Sequence, residues 1–300
     1  MARLFDAYVI AIWTAAEGKK TGEQSLWIGV AKRDVRMRLK TESHNAATRA
    51  EGEAMLATIL GDLAKRGDRA LIGFNFPLGW PRGTAERLKL SGEPWAAMSK
   101  FVASNVVDKA DNTNNRYQVA AKINRLMTDE AWPMWGAPAR QAQRWLSSTK
   151  PTHPADIPEM RETDRRARVG KIQPKGQWQM HGAGATGGLA LVGQPMVRRL
   201  LERLGSSGAA WPFGTGWRAL TAEDVAPLSA LVVEAWPAMV PSSPEPGEFK
   251  DQASVVAAAE HFARLDDKGE LAALFAPPKD IDDDTRAAVE TEEGWILGVR

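Results

Sequence analysis

Residues 71–81 constrain the fold more than any other segment, because a buried strand has to end inside them. The segment reads LIGFNFPLGWP, an apolar run interrupted by two glycines and two prolines. Pro77 cannot donate to a sheet ladder and Gly79 relaxes the backbone, so we expect the strand to end near Asn75. Ligands of open α/β sheets bind at such strand ends. Asn75 therefore either faces a ligand or caps a turn, since Asn favours turns for local reasons.

Composition excludes several classes of protein. The chain has 300 residues, of which 44% are hydrophobic, enough to bury a full core. A formal net charge of +2 is too small to indicate a nucleic-acid or membrane partner. Because there is no Cys, disulfides, thiolate nucleophiles and Cys-zinc sites are excluded. No apolar run approaches the roughly 20 residues of a membrane span, and no signal segment is evident, so we expect a cytoplasmic protein.

The first part of the chain predicts three strands and a helix. The apolar runs at 8–13 and 26–31 flank a polar loop and predict a β-hairpin. Residues 35–40 alternate apolar and basic side chains, which predicts a third antiparallel strand with one solvated face. Asn45 is the expected N-cap of a helix that ends before Gly67.

A polar loop between two predicted helices, at 94–106 and 117–127, carries several candidate binding residues. Its acids, amides and arginine either line a site or cap the two helices, because Asp and Asn favour helix ends. The candidates in this loop are Asp108, Asp111, Asn112, Asn115 and Arg116.

Residues 150–176 are rich in proline and charge, so we expect an exposed insertion there. A basic cluster in its second half either is a solvated loop or contacts a phosphate-bearing ligand or nucleic acid. The cluster consists of Arg165, Arg166, Arg168, Lys171 and Lys175.

Residues 181–188, HGAGATGG, have the glycine spacing of a dinucleotide-binding turn. We reject that assignment, because the preceding segment is mixed and not the buried strand that the fingerprint requires. The turn leads into a predicted helix over 189–204, whose first N–H groups can still face an anion. Trp178 and Gln179, just before the turn, are further candidate binding residues. The four histidines have no metal-ligand spacing.

Two carboxylates near the end of the chain are the candidate catalytic groups. Residues 228–235 predict the last strand, and Glu234 lies at its end, just before Trp236 and Pro237. Asp251 lies in the first turn of the next helix, where a carboxylate either serves a site or simply interacts with the helix dipole, worth about 0.3–1 kcal/mol. A closing helix is expected near 285–292.

The element order is three antiparallel strands, a helix, a strand, helices, a further strand and a helix. This order is similar to the ribonuclease H-like fold, an α/β class with a mixed sheet. We expect one such domain over 1–300, with a helical and loop insertion region at 82–227.

The sequence also resembles a family of uncharacterised proteobacterial proteins, a domain of unknown function with the ribonuclease H-like fold. Members often carry names that refer to molybdopterin guanine dinucleotide or cobalamin synthesis, but these residues indicate neither activity. The match runs nearly end to end. It rests on IWTAA (12–16), GFNFPLG (73–79), VDKADNTNNR (107–116), WPFGTGW (211–217), VEAWP (233–237) and EGWILG (293–298).

The resemblance implies a metal site that this chain lacks in part. The family has acids where Ile12, Asn75 and Gly214 stand here. In ribonuclease H-like enzymes, carboxylates on the first and fourth strands and the last helix hold two divalent metals. Ile cannot ligate Mg²⁺ and Asn is a weak donor, so Glu234 and Asp251 are the acids that remain.

Three hypotheses follow. The leading one is a protein whose two-metal site is disabled and whose role is binding or assembly. The first alternative is an active metal-dependent phosphodiester hydrolase that uses Mg²⁺ with Glu234 and Asp251, and with Asp108 or Asp111 as a further ligand. The second is a nucleotide-binding module linked to cofactor biosynthesis, which uses the glycine turn and the basic cluster.

The leading hypothesis also predicts a geometry. Ile12, Asn75, Glu234 and Asp251 are expected to converge at one end of the sheet and line one pocket that binds no divalent metal. Trp13, beside Ile12, is a further candidate binding residue. The ligand, the pathway and the oligomeric state are left open by the sequence.

Overall fold

A six-stranded mixed sheet forms the centre of the computed structural model, which describes residues 3–152 and 156–300. The strand order is β3-β2-β1-β4-β6-β5, with β2 antiparallel to β1 and β3, and with β1, β4, β6 and β5 parallel. The carboxyl ends of β1, β4 and β6 therefore meet at one edge. The strands are β1 (Ala7–Ile12), β2 (Leu26–Arg33), β3 (Leu39–Ala46), β4 (Ala70–Phe74), β5 (Gly208–Ala210) and β6 (Ala230–Glu234).

Helices cover both faces of the sheet, and most of them follow β4. In the described part of the chain they are α1 (Arg49–Lys65), α2 (Thr84–Arg87), α3 (Pro94–Asn105), α4 (Arg116–Met127), α5 (Glu162–Arg166), α6 (Gly187–Leu204), α7 (Ala222–Val225), α8 (Lys250–Asp267), α9 (Leu271–Leu274) and α10 (Asp283–Ala288). None of the helices in the described residues is both long and apolar enough to span a membrane.

Strand alternation divides the core between the two faces. Ile10 and Val233 pack with Phe262 of α8 on one face. Ala11 and Phe74 pack on the opposite face, in the core that contains apolar residues of α1 and α6. A third apolar cluster lies among α3, α4 and α6. Neighbouring residues at a strand end therefore point to different sides of the sheet.

The third strand differs from its prediction. Val35 is fully exposed and lies in a turn, and β3 begins only at Leu39. The Asp34 carboxylate accepts hydrogen bonds from the N–H groups of Arg36 and Arg38, which closes this turn. The alternation of apolar and basic residues was therefore not sufficient to predict a strand, because the hydrogen bonds of the Asp34 side chain favour a turn here.

The predicted N-cap of the first helix is also wrong. Asn45 lies within β3, and its side-chain amide donates hydrogen bonds to Ser25 Oγ and the Leu26 carbonyl. The Thr48 hydroxyl caps α1 by accepting from the N–H of Glu51 at 3.1 Å. The helices predicted at 94–106 and 117–127 are confirmed as α3 and α4.

The prediction of an exposed insertion over 150–176 is wrong in part. Arg161, Thr163 and Asp164 in this segment are buried. Charged side chains are almost never fully buried without partners, so their burial indicates a specific contact with the rest of the fold.

Candidate functional site

Glu234, at the end of β6, forms a buried ion pair with Arg161. The guanidinium nitrogens Nη1 and Nη2 each donate to one Glu234 carboxylate oxygen at 2.7 Å. Arg161 is 0% exposed and Glu234 only 4% exposed. The N–H of Leu78 donates to the same carboxylate at 3.3 Å. Both oxygens of Glu234 therefore already have protein partners.

Asp164 completes this buried cluster from the other side of Arg161. Its carboxylate accepts from Arg161 Nε at 2.9 Å and Nη2 at 2.7 Å, and the Glu293 carbonyl accepts from Nη1 at 3.1 Å. Complete burial opposes the charge of Arg161, but Asp164 and Glu234 raise the pKa of the guanidinium well above its ordinary value. The cluster is thus a charged clamp that fixes α5 against the end of the sheet.

Glu234 and Ile12 lie at the same edge of the sheet but on opposite faces. Glu234 is in register with Phe74 of β4, which in turn is in register with Ala11 of β1. Ile12 is one residue further along β1 and packs on the α8 side. The structure therefore does not bring Glu234 to the surface that carries Ile12.

Asn75 supports the chain that leaves β1. Its Oδ1 atom accepts from the N–H of Trp13 at 2.7 Å, and Nδ2 donates to the Trp13 carbonyl at 3.4 Å. This pair of contacts fixes the first residue after β1.

These residues do not fit a two-metal centre. Ile12 has no atom that can ligate a metal, and the Asn75 side-chain oxygen accepts a hydrogen bond from the Trp13 N–H. The charge of Glu234 is neutralised by Arg161. The described residues also contain no group of three or more His, Asp or Glu placed to hold a metal ion. Hard divalent cations require several oxygen donors converging on one point, and this arrangement does not supply them.

A cleft of about 880 Å³ opens at the carboxyl end of β1, and we call it the β1-end cleft. The chain after β1, the start of α4, the turn before α6 and the start of α8 form its walls. Its lining residues are Ile12, Trp13, Thr14, Ala15, Ala16, Glu17, Lys20, Gln24, Ser25, Arg116, Tyr117, Pro138, Arg140, Met180, His181, Gly182, Ala183, Gly184, Ala185, Leu189 and Asp251.

Arg116 is a buried cation in the wall of this cleft and is only 6% exposed. Its Nη1 atom donates to Asn114 Oδ1 at 2.8 Å and to Glu17 Oε1 at 3.2 Å, and Nη2 donates to the Tyr117 hydroxyl at 3.1 Å. Its buried Nε–H has no hydrogen-bond partner among the described residues. Arg116 is therefore held in place by Nη1 and Nη2, while its Nε–H is left without a partner in the described chain.

Trp13 provides a second unused donor. The side chain is only 2% exposed, yet it lines the cleft, and its indole Nε1–H has no partner in the described chain. The ring packs edge-on against Phe74, with centroids 6.1 Å apart. A rigid indole of this kind presents its N–H in a fixed direction.

The remaining charges of the cleft have a cationic excess. Lys20, Arg116 and Arg140 face two carboxylates among the lining residues, Glu17 and Asp251. Glu17 accepts from Arg116 and lies 3.6 Å from Arg140 Nη2. Burial raises the pKa of the Asp251 carboxyl above its usual range, although the Gln24 N–H opposes this shift.

The glycine turn lines the cleft and continues into α6. Gly182 and Gly184 have φ of +107° and +73°, a region that favours glycine. No side chain caps α6, because the Thr186 hydroxyl donates instead to the Lys175 carbonyl at 3.3 Å. The N–H of Gly187 already donates to the Gln179 carbonyl at 3.0 Å, and Leu189 is the first-turn residue that lines the cleft. The first-turn donors that remain beside the cleft are therefore the N–H groups of Gly188 and Leu189.

The polar loop before α4 is held by its own contacts. Asp108 forms a bidentate pair with Arg49, with both N–O distances 2.6 Å. Asn112 is buried and accepts from the Arg49 N–H at 2.8 Å. Asp111 accepts from the Thr113 N–H, and Asn115 accepts from the Val107 N–H. In this structure these four candidates organise the loop, and they are absent from the cleft lining.

The other candidates lie away from the β1-end cleft. Trp178 and Gln179 line a second cleft of about 290 Å³ beside Trp135 and Lys150. Gly214 lines a third cleft next to β5.

The basic cluster of the insertion is largely tied up by other contacts. Arg165 and Arg166 pair with Glu162, and Arg166 also pairs with Asp280. Arg168 donates to backbone carbonyls, while Lys171 is exposed.

The sequence did not indicate Glu17, Lys20, Arg140 or Arg161 as site residues. Glu17, Lys20 and Arg140 lie in polar loops whose composition is ordinary for a surface. Arg161 lies in a proline- and charge-rich segment and pairs with a residue 73 positions away. No local pattern reveals a pairing of that kind.

Comparisons with protein-family models, with curated proteins and with solved structures gave no match.

Proposed function

We propose that this chain is a ligand-binding protein with a ribonuclease H-like fold, which binds its ligand in the β1-end cleft without a two-metal centre. The fold part of the proposal is supported by the element order. Three antiparallel strands are followed by a helix, then by β4 parallel to β1, and later by β6 and the long helix α8.

The Arg161–Glu234 pair is the observation that carries the functional part. A metal ligand has to offer free oxygen lone pairs, whereas both Glu234 oxygens accept from one buried guanidinium at 2.7 Å. Releasing Glu234 would leave Arg161 buried with one fewer anion, which costs about 3–5 kcal/mol for pairs of this kind. This cost favours a role for Glu234 in stability over one in metal binding.

The β1-end cleft supports binding as the remaining function. Its volume of about 880 Å³ lies in the range of roughly 300–1,000 Å³ that accommodates small-molecule ligands. It combines apolar walls with a few convergent polar groups, including Arg116 and Asp251. This combination is typical of small-molecule sites.

The metal question is tested by thermal unfolding and by turnover assays on the same sample. We expect the same melting temperature in Mg²⁺, Mn²⁺ or chelator, and no hydrolysis of nucleotides or nucleic acids. Metal-dependent turnover that Asp251→Asn abolishes would support the hydrolase alternative and refute this proposal. Asp251→Asn suits this test because it removes the cleft carboxylate that the hydrolase alternative requires and leaves the buried Arg161 cluster intact.

The location of the site is tested by a pair of variants at Ala183, an exposed residue of the cleft wall. Ala183→Trp places an indole at the cleft, whereas Ala183→Ser is the matched control of small volume. Any ligand found by a thermal-shift screen of phosphorylated and unphosphorylated metabolites should bind the Ser variant normally and the Trp variant weakly. Equal binding to both variants would move the site elsewhere.

A further inference from the structure

We infer that the β1-end cleft contains an anion subsite for the phosphate monoester of a small molecule, formed by Arg116, the first turn of α6 and the indole N–H of Trp13. This inference rests on the proposed function and specifies the chemistry of the ligand.

The first argument is the proximity of Arg116 to the start of α6. An added Cβ at Gly188 would lie 3.6 Å from both Cδ and Nε of Arg116, so the guanidinium lies directly beside the first helical turn. The helix has 18 residues and no side-chain cap. A helix N-terminus attracts anions through its free N–H groups and its dipole, and the adjacent cation adds to this attraction.

The second argument is the unused donors. Arg116 and Trp13 both line the cleft, and their Nε–H and Nε1–H groups are buried without a hydrogen-bond partner among the described residues. Most buried donors in proteins are paired, and leaving one unpaired is costly. Both groups donate and cannot accept in this state. Any partner for these two groups therefore has to be a hydrogen-bond acceptor.

The third argument concerns Glu17. Its carboxylate bonds to Arg116 Nη1 at 3.2 Å and lies 3.6 Å from Arg140 Nη2. Glu17 is about one-third exposed and belongs to the chain segment after β1. In the ligand-free protein Glu17 thus offsets part of the positive charge of Arg116 and Arg140, which weakens their attraction for an anion at Arg116 Nε.

The fourth argument identifies a phosphate monoester as the anion. A phosphate group offers three acceptor oxygens and close to two negative charges, which suits several donors from different directions. The cleft also has apolar wall residues, Ile12, Met180 and Leu189, and one further carboxylate, Asp251. An apolar body with hydroxyl or amino donors that face Asp251 matches these walls.

The experiment is calorimetric titration with inorganic phosphate, adenosine 5′-monophosphate and adenosine. We expect inorganic phosphate and adenosine 5′-monophosphate to bind. Adenosine should bind at least about tenfold more weakly than its monophosphate, because it lacks the group that accepts charge-assisted hydrogen bonds. Arg116→Gln should weaken phosphate binding about tenfold or more. Because Arg116 also contacts Asn114 and Tyr117, the fold of this variant is checked by circular dichroism and thermal unfolding.

Glu17→Gln provides the second variant, with an effect of opposite sign. Removal of this carboxylate should tighten phosphate binding several-fold, and the amide oxygen of Gln can still accept from Arg116. The fold of this variant is checked by the same circular dichroism and thermal unfolding. Glu51→Gln, on a surface outside the cleft, is the matched control and should leave the affinity unchanged. Unchanged or weaker binding by Glu17→Gln overturns the subsite.

Two further results separate this inference from the proposed function. Equal affinity for adenosine and its monophosphate, blocked by Ala183→Trp, would refute the anion subsite and leave the binding function standing. No binding of either phosphate at millimolar concentration would also refute the subsite. Metal-dependent turnover that requires Asp251 would refute the proposed function itself.

Discussion

Replacement of Arg161 by Met removes the cation of the buried cluster and leaves Glu234 and Asp164 as uncompensated buried carboxylates. Loss of one partner from a buried pair costs about 3–5 kcal/mol. With an unfolding entropy of about 2.1 cal/mol/K per residue, the 300-residue chain has an entropy near 0.6 kcal/mol/K at its midpoint. The expected decrease in melting temperature is therefore about 5–8 °C if unfolding is two-state.

Differential scanning calorimetry measures this decrease, and Arg165→Met is the matched control. Arg165 is only four residues away, but it is exposed and pairs with Glu162 at the surface, so its loss should cost about 0–1 kcal/mol. A second substitution, Glu234→Gln, should recover part of the stability lost in Arg161→Met, because it removes one of the unpaired charges. Equal melting temperatures for wild type and Arg161→Met would refute the clamp.

Three further predictions address the packing, one carboxylate and the basic cluster. Gly29→Ala should destabilise the fold by about 1–3 kcal/mol, because the new Cβ would lie 2.5 Å from the backbone of Val255. Gly61→Ala, which has open space within α1, should instead stabilise the fold by about 0.5–1 kcal/mol. Chemical denaturation measures both changes. The pKa of the Asp251 carboxyl is raised in the folded protein, so the folded protein releases this proton at higher pH than the unfolded chain. Wild type should therefore lose stability relative to Asp251→Asn as the pH rises above 3.8. A stability difference that is constant across pH would contradict the shift. Substitution of Gln for the three arginines at 165–168 should leave duplex DNA binding unchanged, because two of them already pair with acids. A decrease of about 0.9 per removed cation in the slope of log affinity against log salt concentration would show phosphate contacts instead.

Strands β1, β2, β4 and β6 were predictable because they are continuous apolar runs, whereas the three-residue strand β5 was not predicted. The segment at 71–81 became β4, and the end at Phe74 falls just before Asn75. The third strand was misplaced because Asp34 closes a turn through two backbone N–H groups. Alternation of side chains describes a strand and an exposed turn equally well until such contacts are known.

The cleft was predictable only in part. Trp13, Arg116, Asp251 and the glycine turn were indicated by strand ends, polar loops and helix starts, and the structure brings them together. The role of Arg161 was not predictable, because the residues next to it in the sequence are polar and predict a solvent-exposed side chain. Its burial is decided by Glu234, which is distant in sequence and arrives only with the folded sheet.

Anomalous diffraction at the manganese edge is the most direct test of metal-free ligand binding in the β1-end cleft. Crystals are grown with Mn²⁺ and soaked with adenosine 5′-monophosphate. The account predicts density for the nucleotide in the cleft and no anomalous peak within ligand distance of Asp251 or Glu234. A manganese peak coordinated by either carboxylate, with Glu234 released from Arg161, would contradict it.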